Sequence, residues 1–156
     1  MDLKELYQDI ILEHGKNPRN FGKCEKYTHQ AKGYNPLWGD QVQVYLKLNN
    51  EKKVEDLTFE GSGCAISIAS TSIMTELIKE KSVKVAKKIV TDFLDMIKNT
   101  SEIQSNDLSE DQKTKILSLS GVKQYPMRVK CATLSWHTLI SAIENKKEEI
   151  NTEKFD

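Results

Sequence analysis

Cys64 follows the run Gly61-Ser62-Gly63 and opens a stretch with helical spacing. Unpaired amides and the positive dipole end of a helix favour a thiolate there and lower its pKa, a setting suited to metal ligation or nucleophilic sulfur chemistry. The glycines point to a tight loop with close backbone approach. The plainer alternative is a small buried hydrophobe, common for free cysteine. Cys131 lies at the beginning of the last helical segment, after Arg128 and Lys130, whose charges also favour a thiolate. At 100° per residue Ser135 and Thr138 share its face, whereas His137 is about 240° away and is a poor co-ligand.

Asp40 closes the turn-rich run Gly33-Tyr34-Asn35-Pro36-Leu37-Trp38-Gly39-Asp40. A carboxylate there can ligate a metal at the end of a sheet or fold an Asx-turn, and the two readings stand level. Cys24, between Lys23 and Glu25, reads as an incidental exposed thiol. His14 closes a helix, where a positive charge suits the dipole, so its role is structural. His29 lies among polar residues and reads as solvated, and His137 as a surface or interface residue.

These groups need elements to position them. Leu3, Leu6, Tyr7, Ile10, Ile11 and His14 recur at helical spacing behind a capping-box pattern of Asp2 and Glu5, and Gly15 supplies a stop. Asn17-Pro18-Arg19-Asn20 then predicts a loop. Alternation of Val42, Val44, Leu46 and Leu48 with polar neighbours, a turn at Asn49–Lys52, and a second run through Val54, Leu57 and Phe59 predict a β-hairpin, with a further short strand near 27–32. Helical segments follow from Cys64 to about Lys79 and from Ser82 to about Ile97. A polar insertion near 99–120 leads into a short helix near 113–119 that Gly121 ends. Pro126 starts the last helix, and the charged tail frays from about 147. Strands first and helices afterwards argue for an α+β fold, a small antiparallel sheet covered by helices, with the whole span 1–156 as one domain.

Composition excludes other classes. The chain has 156 residues, enough to bury about 70% of the surface its unfolded form exposes. Lys plus Arg is 23 and Asp plus Glu is 23, so no global positive field draws it to nucleic acid or an anionic membrane. No apolar run reaches the roughly 18 residues of a membrane span, and the opening Met1-Asp2-Leu3-Lys4-Glu5 lacks the pattern of a signal peptide. Cysteine number 3 is odd and spread along the chain, poor material for disulfides and better for thiol or metal chemistry in the reducing cytoplasm.

Several ordered motifs together resemble the iron–sulfur cluster assembly scaffolds of the IscU and NifU N-terminal type, most closely the SufU branch. Leu6-Tyr7-Gln8-Asp9 with His14, then Asn17-Pro18-Arg19-Asn20-Phe21-Gly22, is similar to the family's opening. Gly61-Ser62-Gly63-Cys64-Ala65-Ile66-Ser67 resembles its second cysteine motif, and Arg128-Val129-Lys130-Cys131-Ala132-Thr133-Leu134-Ser135-Trp136 its third in the SufU form, which has no His before the cysteine. The longer stretch 80–125 between them also fits that branch.

The family's first motif is Asn-Pro-x-Cys-Gly-Asp, and here Trp38 stands at the cysteine position in Asn35-Pro36-Leu37-Trp38-Gly39-Asp40. The resemblance implies an IscU/SufU-like α+β fold and a site of Asp40, Cys64 and Cys131 for zinc or a transient iron–sulfur cluster of the 2Fe–2S or 4Fe–4S type. The last ligand would be water, a partner side chain or a rearranged Cys24. It also implies a SufS-type cysteine desulfurase and recipient iron–sulfur apoproteins as partners. Cys64 or Cys131 would serve as sulfur acceptors in place of the missing thiol, because indole offers only an N–H donor and no metal ligand. Three accounts of Trp38 are open at this stage: an isolated change in an ordinary scaffold, a member with a different fourth ligand, or a degenerate paralogue that only docks the desulfurase.

Overall fold

The architecture follows from where the apolar residues alternate and where they recur at helical spacing. A computed structural model describes residues 2–99, 103 and 106–155. Helix α1 (Leu3–Lys16) begins on Asp2, whose carboxylate accepts the Glu5 amide as the capping pattern requires. Strands β1 (His29–Asn35), β2 (Asp40–Leu48) and β3 (Val54–Ser62) form consecutive antiparallel pairs. The first strand thus runs slightly later in the chain than its pattern suggested.

Helices α2 (Ala65–Ile78) and α3 (Val83–Lys98) follow, the latter capped by the Ser82 hydroxyl. Helix α4 (Glu110–Ser118) has a full capping box between Ser109 and Gln112 and so starts before its expected position. A 3-10 segment, Leu119–Gln124, runs on through Gly121 instead of ending there. Helix α5 (Pro126–Ile143) begins with Pro126 at its first turn. Of the expected polar insertion, residues 100–102, 104 and 105 lie outside the described residues. Its remainder is not simply surface, since Leu108, Ile116 and Leu119 are buried.

The tail does not fray within 150–154. Strand β4 (Ile150–Asn151) pairs parallel to β1, and a 3-10 turn, Thr152–Lys154, follows. The sheet is therefore mixed, in the order β3-β2-β1-β4, instead of wholly antiparallel. The charge pattern of the tail hid this because only Thr152, a polar residue, is fully buried there.

The core lies between one sheet face and the helices: Val44, Leu46, Leu57 and Phe59 from the sheet meet Ile73, Met74 and Leu77 of α2, Phe93 of α3, and Leu134, Trp136 and Leu139 of α5. Phe93 and Trp136 stack with ring centres 4.0 Å apart. The indole N–H of Trp136 donates to Ser70 Oγ at 2.8 Å, and Ser70 donates to the Ala132 carbonyl at 2.6 Å. That relay fixes α2 against α5, the two helices next to the cysteines. Gly33 lets α5 approach β1, because a Cβ there would overlap Thr138 Oγ1. No helix among the described residues is long and apolar enough to cross a membrane.

Candidate metal centre

Three chain segments meet at one end of the sheet. Asp40 is the first residue of β2, Cys64 is the N-cap of α2, and Cys131 lies in the second turn of α5. Their ligand atoms all lie within 4.8 Å of one another, and no other such group of His, Cys, Asp or Glu occurs among the described residues. Asp40 and Cys131 are fully buried, and Cys64 is half-buried.

Local sequence dictates this convergence. Asn35 and Asp40 are register partners, so the turn Pro36–Gly39 returns Asp40 to the end of the sheet. Gly39 takes a positive φ of 70° in that turn. Gly63 has a φ of 139°, and a Cβ on it would overlap the Asp40 carboxylate. Glycine there allows the chain to leave β3 and enter α2 directly over Asp40. The Cys64 amide then donates to Asp40 Oδ1 at 2.8 Å, and Asn35 Nδ2 donates to Asp40 Oδ2 at 3.1 Å. Asn35 Nδ2 also lies 3.5 Å from Cys131 Sγ, within hydrogen-bond reach of sulfur.

The two thiols face each other, and the contact drives their acidities apart. The hydrogen bond from Cys131 is the main influence lowering the Cys64 pKa to about 6; burial opposes it, while the Ser67 amide and Arg128 assist. Cys131 is pushed upward, first because it donates to Cys64 and then because it is buried and faces Asp40. Cys131 lies near the start of α5, as its sequence position indicates, but its cationic neighbours do not lower its pKa. Cys64 is the more acidic thiol of the pair, chiefly because Cys131 donates to it.

Trp38 covers this end of the molecule without ligating. Its Nε1–H donates to the Met127 carbonyl at 3.0 Å, and the Arg128 guanidinium carbon stands 4.2 Å from its ring centre. Leu37, Trp38, Tyr125 and Met127 are exposed large apolar residues of the β1–β2 turn and the start of α5.

The remaining candidates do not join the site. Cys24 is buried rather than exposed, and it lies near the opposite end of β2 from Asp40: its carbonyl accepts the Tyr27 amide, and the next residue, Thr28, donates its amide to the Leu46 carbonyl. At roughly 3.3 Å per residue that separation is about 20 Å, so Cys24 is no fourth ligand in this fold. His14 is buried between α1 and α2, with Nδ1 2.8 Å from Ser72 Oγ and Nε2 3.5 Å from Glu76. His29 contacts the Thr28 hydroxyl, and His137 packs on Phe155. Sequence reasoning passed over Asn35 and Thr152, whose hydroxyl donates to Asn35 Oδ1 at 2.8 Å. Asn35 carried a signal, a turn-entry asparagine five residues before Asp40; Thr152 carried none.

Two sulfurs and one oxygen suit zinc or an iron–sulfur species, since thiolates select such ions and a carboxylate leaves one ligand exchangeable. The set is one short of a tetrahedral complement and so forms an open site. The family of the NifU-like N terminal domain matches residues 6–149. The chain is 40% identical over 148 residues to the zinc-dependent sulfurtransferase SufU of Bacillus subtilis, covering 95% of each. It is 33% identical over 142 residues to the iron-sulfur cluster assembly scaffold protein IscU of Streptococcus pyogenes, covering 91% of this chain and 85% of that one. Among solved structures, an iron-sulfur cluster assembly scaffold protein for the SUF system from Fervidobacterium islandicum superposes with a TM-score of 0.78 at 35% identity, over 89% of this chain and 97% of that one. Its sequence, its fold and the convergence of Asp40, Cys64 and Cys131 agree: the chain belongs to the NifU-like N-terminal domain family, among the SufU and IscU proteins.

Proposed function

We propose that this protein is an iron–sulfur cluster assembly scaffold that holds zinc or a nascent cluster through Asp40, Cys64 and Cys131. The observation that carries the reading is the gathering of those three ligand atoms within 4.8 Å. A bound metal would hold the thiolates together and supply an open coordination position. The residues of the chain do the rest. Asn35 and the Cys64 amide orient the carboxylate, Gly63 admits the close approach, and burial keeps water from Asp40 and Cys131. Three free cysteines fit work in the cytoplasm. The exposed apolar residues Leu37, Trp38, Tyr125 and Met127 suit docking of a SufS-type cysteine desulfurase or of recipient apoproteins.

A second reading, a zinc-dependent sulfur acceptor, is favoured by the lowered pKa of half-exposed Cys64 and by the kinship with SufU. The Cys64 thiolate would attack the outer sulfur of a desulfurase persulfide. The S–S bond breaks, the desulfurase cysteine leaves as thiolate, and Cys64 becomes the persulfide.

Elemental analysis of protein purified without added metal, beside Cys64→Ala and Cys131→Ala, tests the site. Near-stoichiometric zinc or iron that vanishes in both variants supports it. A parent without metal that still binds the desulfurase leaves the docking-only account of Trp38 standing. Gain of one sulfur atom on Cys64 after incubation with desulfurase and cysteine, seen by intact mass, distinguishes the acceptor from the scaffold.

A further inference from the structure

The side-chain amide of Asn35 is fully buried, and among the described residues its hydrogen-bond partners belong to the site or the tail. Its Nδ2 faces Asp40 Oδ2 at 3.1 Å and Cys131 Sγ at 3.5 Å, and its Oδ1 accepts from Thr152 Oγ1 at 2.8 Å. Asp40 and Cys131 both present electron-rich atoms, so the N–H side of the amide must face them. The carbonyl side is then turned toward the tail, where it needs a donor. Thr152 is that donor, and it is fully buried, whereas its neighbours Asn151 and Glu153 are not. The backbone pairing that brings it there is short, Gly33 with Ile150 and Tyr34 with Asn151.

We infer that Thr152 is a positioning residue for the metal centre, acting through Asn35 to hold Asp40 and Cys131 in register with Cys64. The inference rests on the metal reading above. Without the hydroxyl, buried Asn35 Oδ1 loses the donor it has here, an unfavourable state that turning of the amide would relieve. Either Asp40 Oδ2 or Cys131 Sγ then loses its N–H. Asp40 would be anchored by the Cys64 amide alone. A mere tail latch predicts something different: valine has the shape of threonine and would keep the tail packed and the site intact.

The test compares Thr152→Val and Thr152→Ser with the parent, all with native circular dichroism. One arm measures zinc affinity by competition with a chromophoric chelator; the other measures iodoacetamide alkylation of Cys131 in metal-free protein. Thr152→Val should weaken zinc binding by about tenfold, the lower end of what loss of an outer partner of a metal ligand costs, because it acts on that partner, Asn35. It should also speed alkylation of buried Cys131 several-fold, with Thr152→Ser close to the parent in both arms. Thr152→Val behaving as the parent in both arms overturns the inference, as does Thr152→Ser failing as badly as Thr152→Val. If the valine variant does not fold, Thr152→Ala takes its place under the same criteria. A parent that holds no zinc sinks the metal reading separately, and the alkylation arm then decides the role of Thr152.

Discussion

Arg128 and Trp38 form a closed pair beside the thiols: the guanidinium carbon stands 4.2 Å from the indole centre, while the indole N–H is held by the Met127 carbonyl. The aromatic therefore occupies the turn where a fourth thiolate would stand in the family motif, and it offers the metal nothing. Trp38→Cys should raise zinc affinity by about tenfold or more, equivalent to about 1.4 kcal/mol, and raise stimulation of a cysteine desulfurase. Trp38→Ala, which only removes the cover, should do neither. Chelator competition and a turnover assay check this; unchanged values for the cysteine variant would mean that the turn does not face the site.

Gly63→Ala should damage both fold and site. The backbone there is in a region that side chains avoid, and the added methyl would overlap Asp40. A cost on the order of 1–3 kcal/mol is expected, with a Tm lower by roughly 2–4 °C for each kcal/mol. Calorimetry with metal analysis is the measurement, and an unchanged Tm with full metal content would contradict the packing described.

In metal-free protein, Cys64 should alkylate with a midpoint near pH 6 while Cys131 lags at every pH. Cys131→Ala removes the donor that stabilises the thiolate, so the Cys64 midpoint should move up. Peptide mass spectrometry after short iodoacetamide pulses across a pH series reads both. Equal reactivity of the two cysteines would remove the asymmetry.

Stability should fall on acidification through the histidine range. Burial lowers the His14 pKa, with Arg19 and Lys115 helping and Glu76 and Glu13 opposing, and burial with Lys98 lowers that of His137. The unfolded chain then binds protons at these sites before the folded one does. The stabilisation is fully present above the unfolded value of 6.5 and is lost as pH falls through the lower folded values. Denaturant midpoints of chelated protein should show this, and His14→Gln should flatten the slope. A variant with the parent's slope would assign the acid sensitivity elsewhere.

Ser70→Ala should cost about 1–3 kcal/mol, because it leaves the buried Trp136 N–H without an acceptor. Urea unfolding followed by the Trp136 signal in a Trp38→Phe background measures it. A loss below about 0.5 kcal/mol would show that the relay between α2 and α5 contributes little.

The sequence was most legible where one local rule applied. Asp2, Ser82 and Pro126 marked helix starts, and the alternation from Val42 to Phe59 gave the hairpin. Asp40, Cys64 and Cys131 were recoverable because ordered motifs carried them. Long-range contacts left no such trace. Cys24 sits in a charged segment yet is buried, since its burial depends on strands whose packing no local pattern records. Thr152 looks like any polar tail residue, and the amide that gives it meaning lies 117 positions away.

That separation sets an order of events in folding. Cys64 and Asp40 come together once the hairpin has closed and the following helix has started, but Asn35 bonds Cys131 and Thr152 across 96 and 117 residues. Contacts of such long range carry a larger loop-closure cost than the hairpin and helices do, so they are expected to form after those local elements have shortened the chain between them. The ligand set is therefore complete only when the fold is, and a half-folded chain presents isolated thiols instead of a finished chelate.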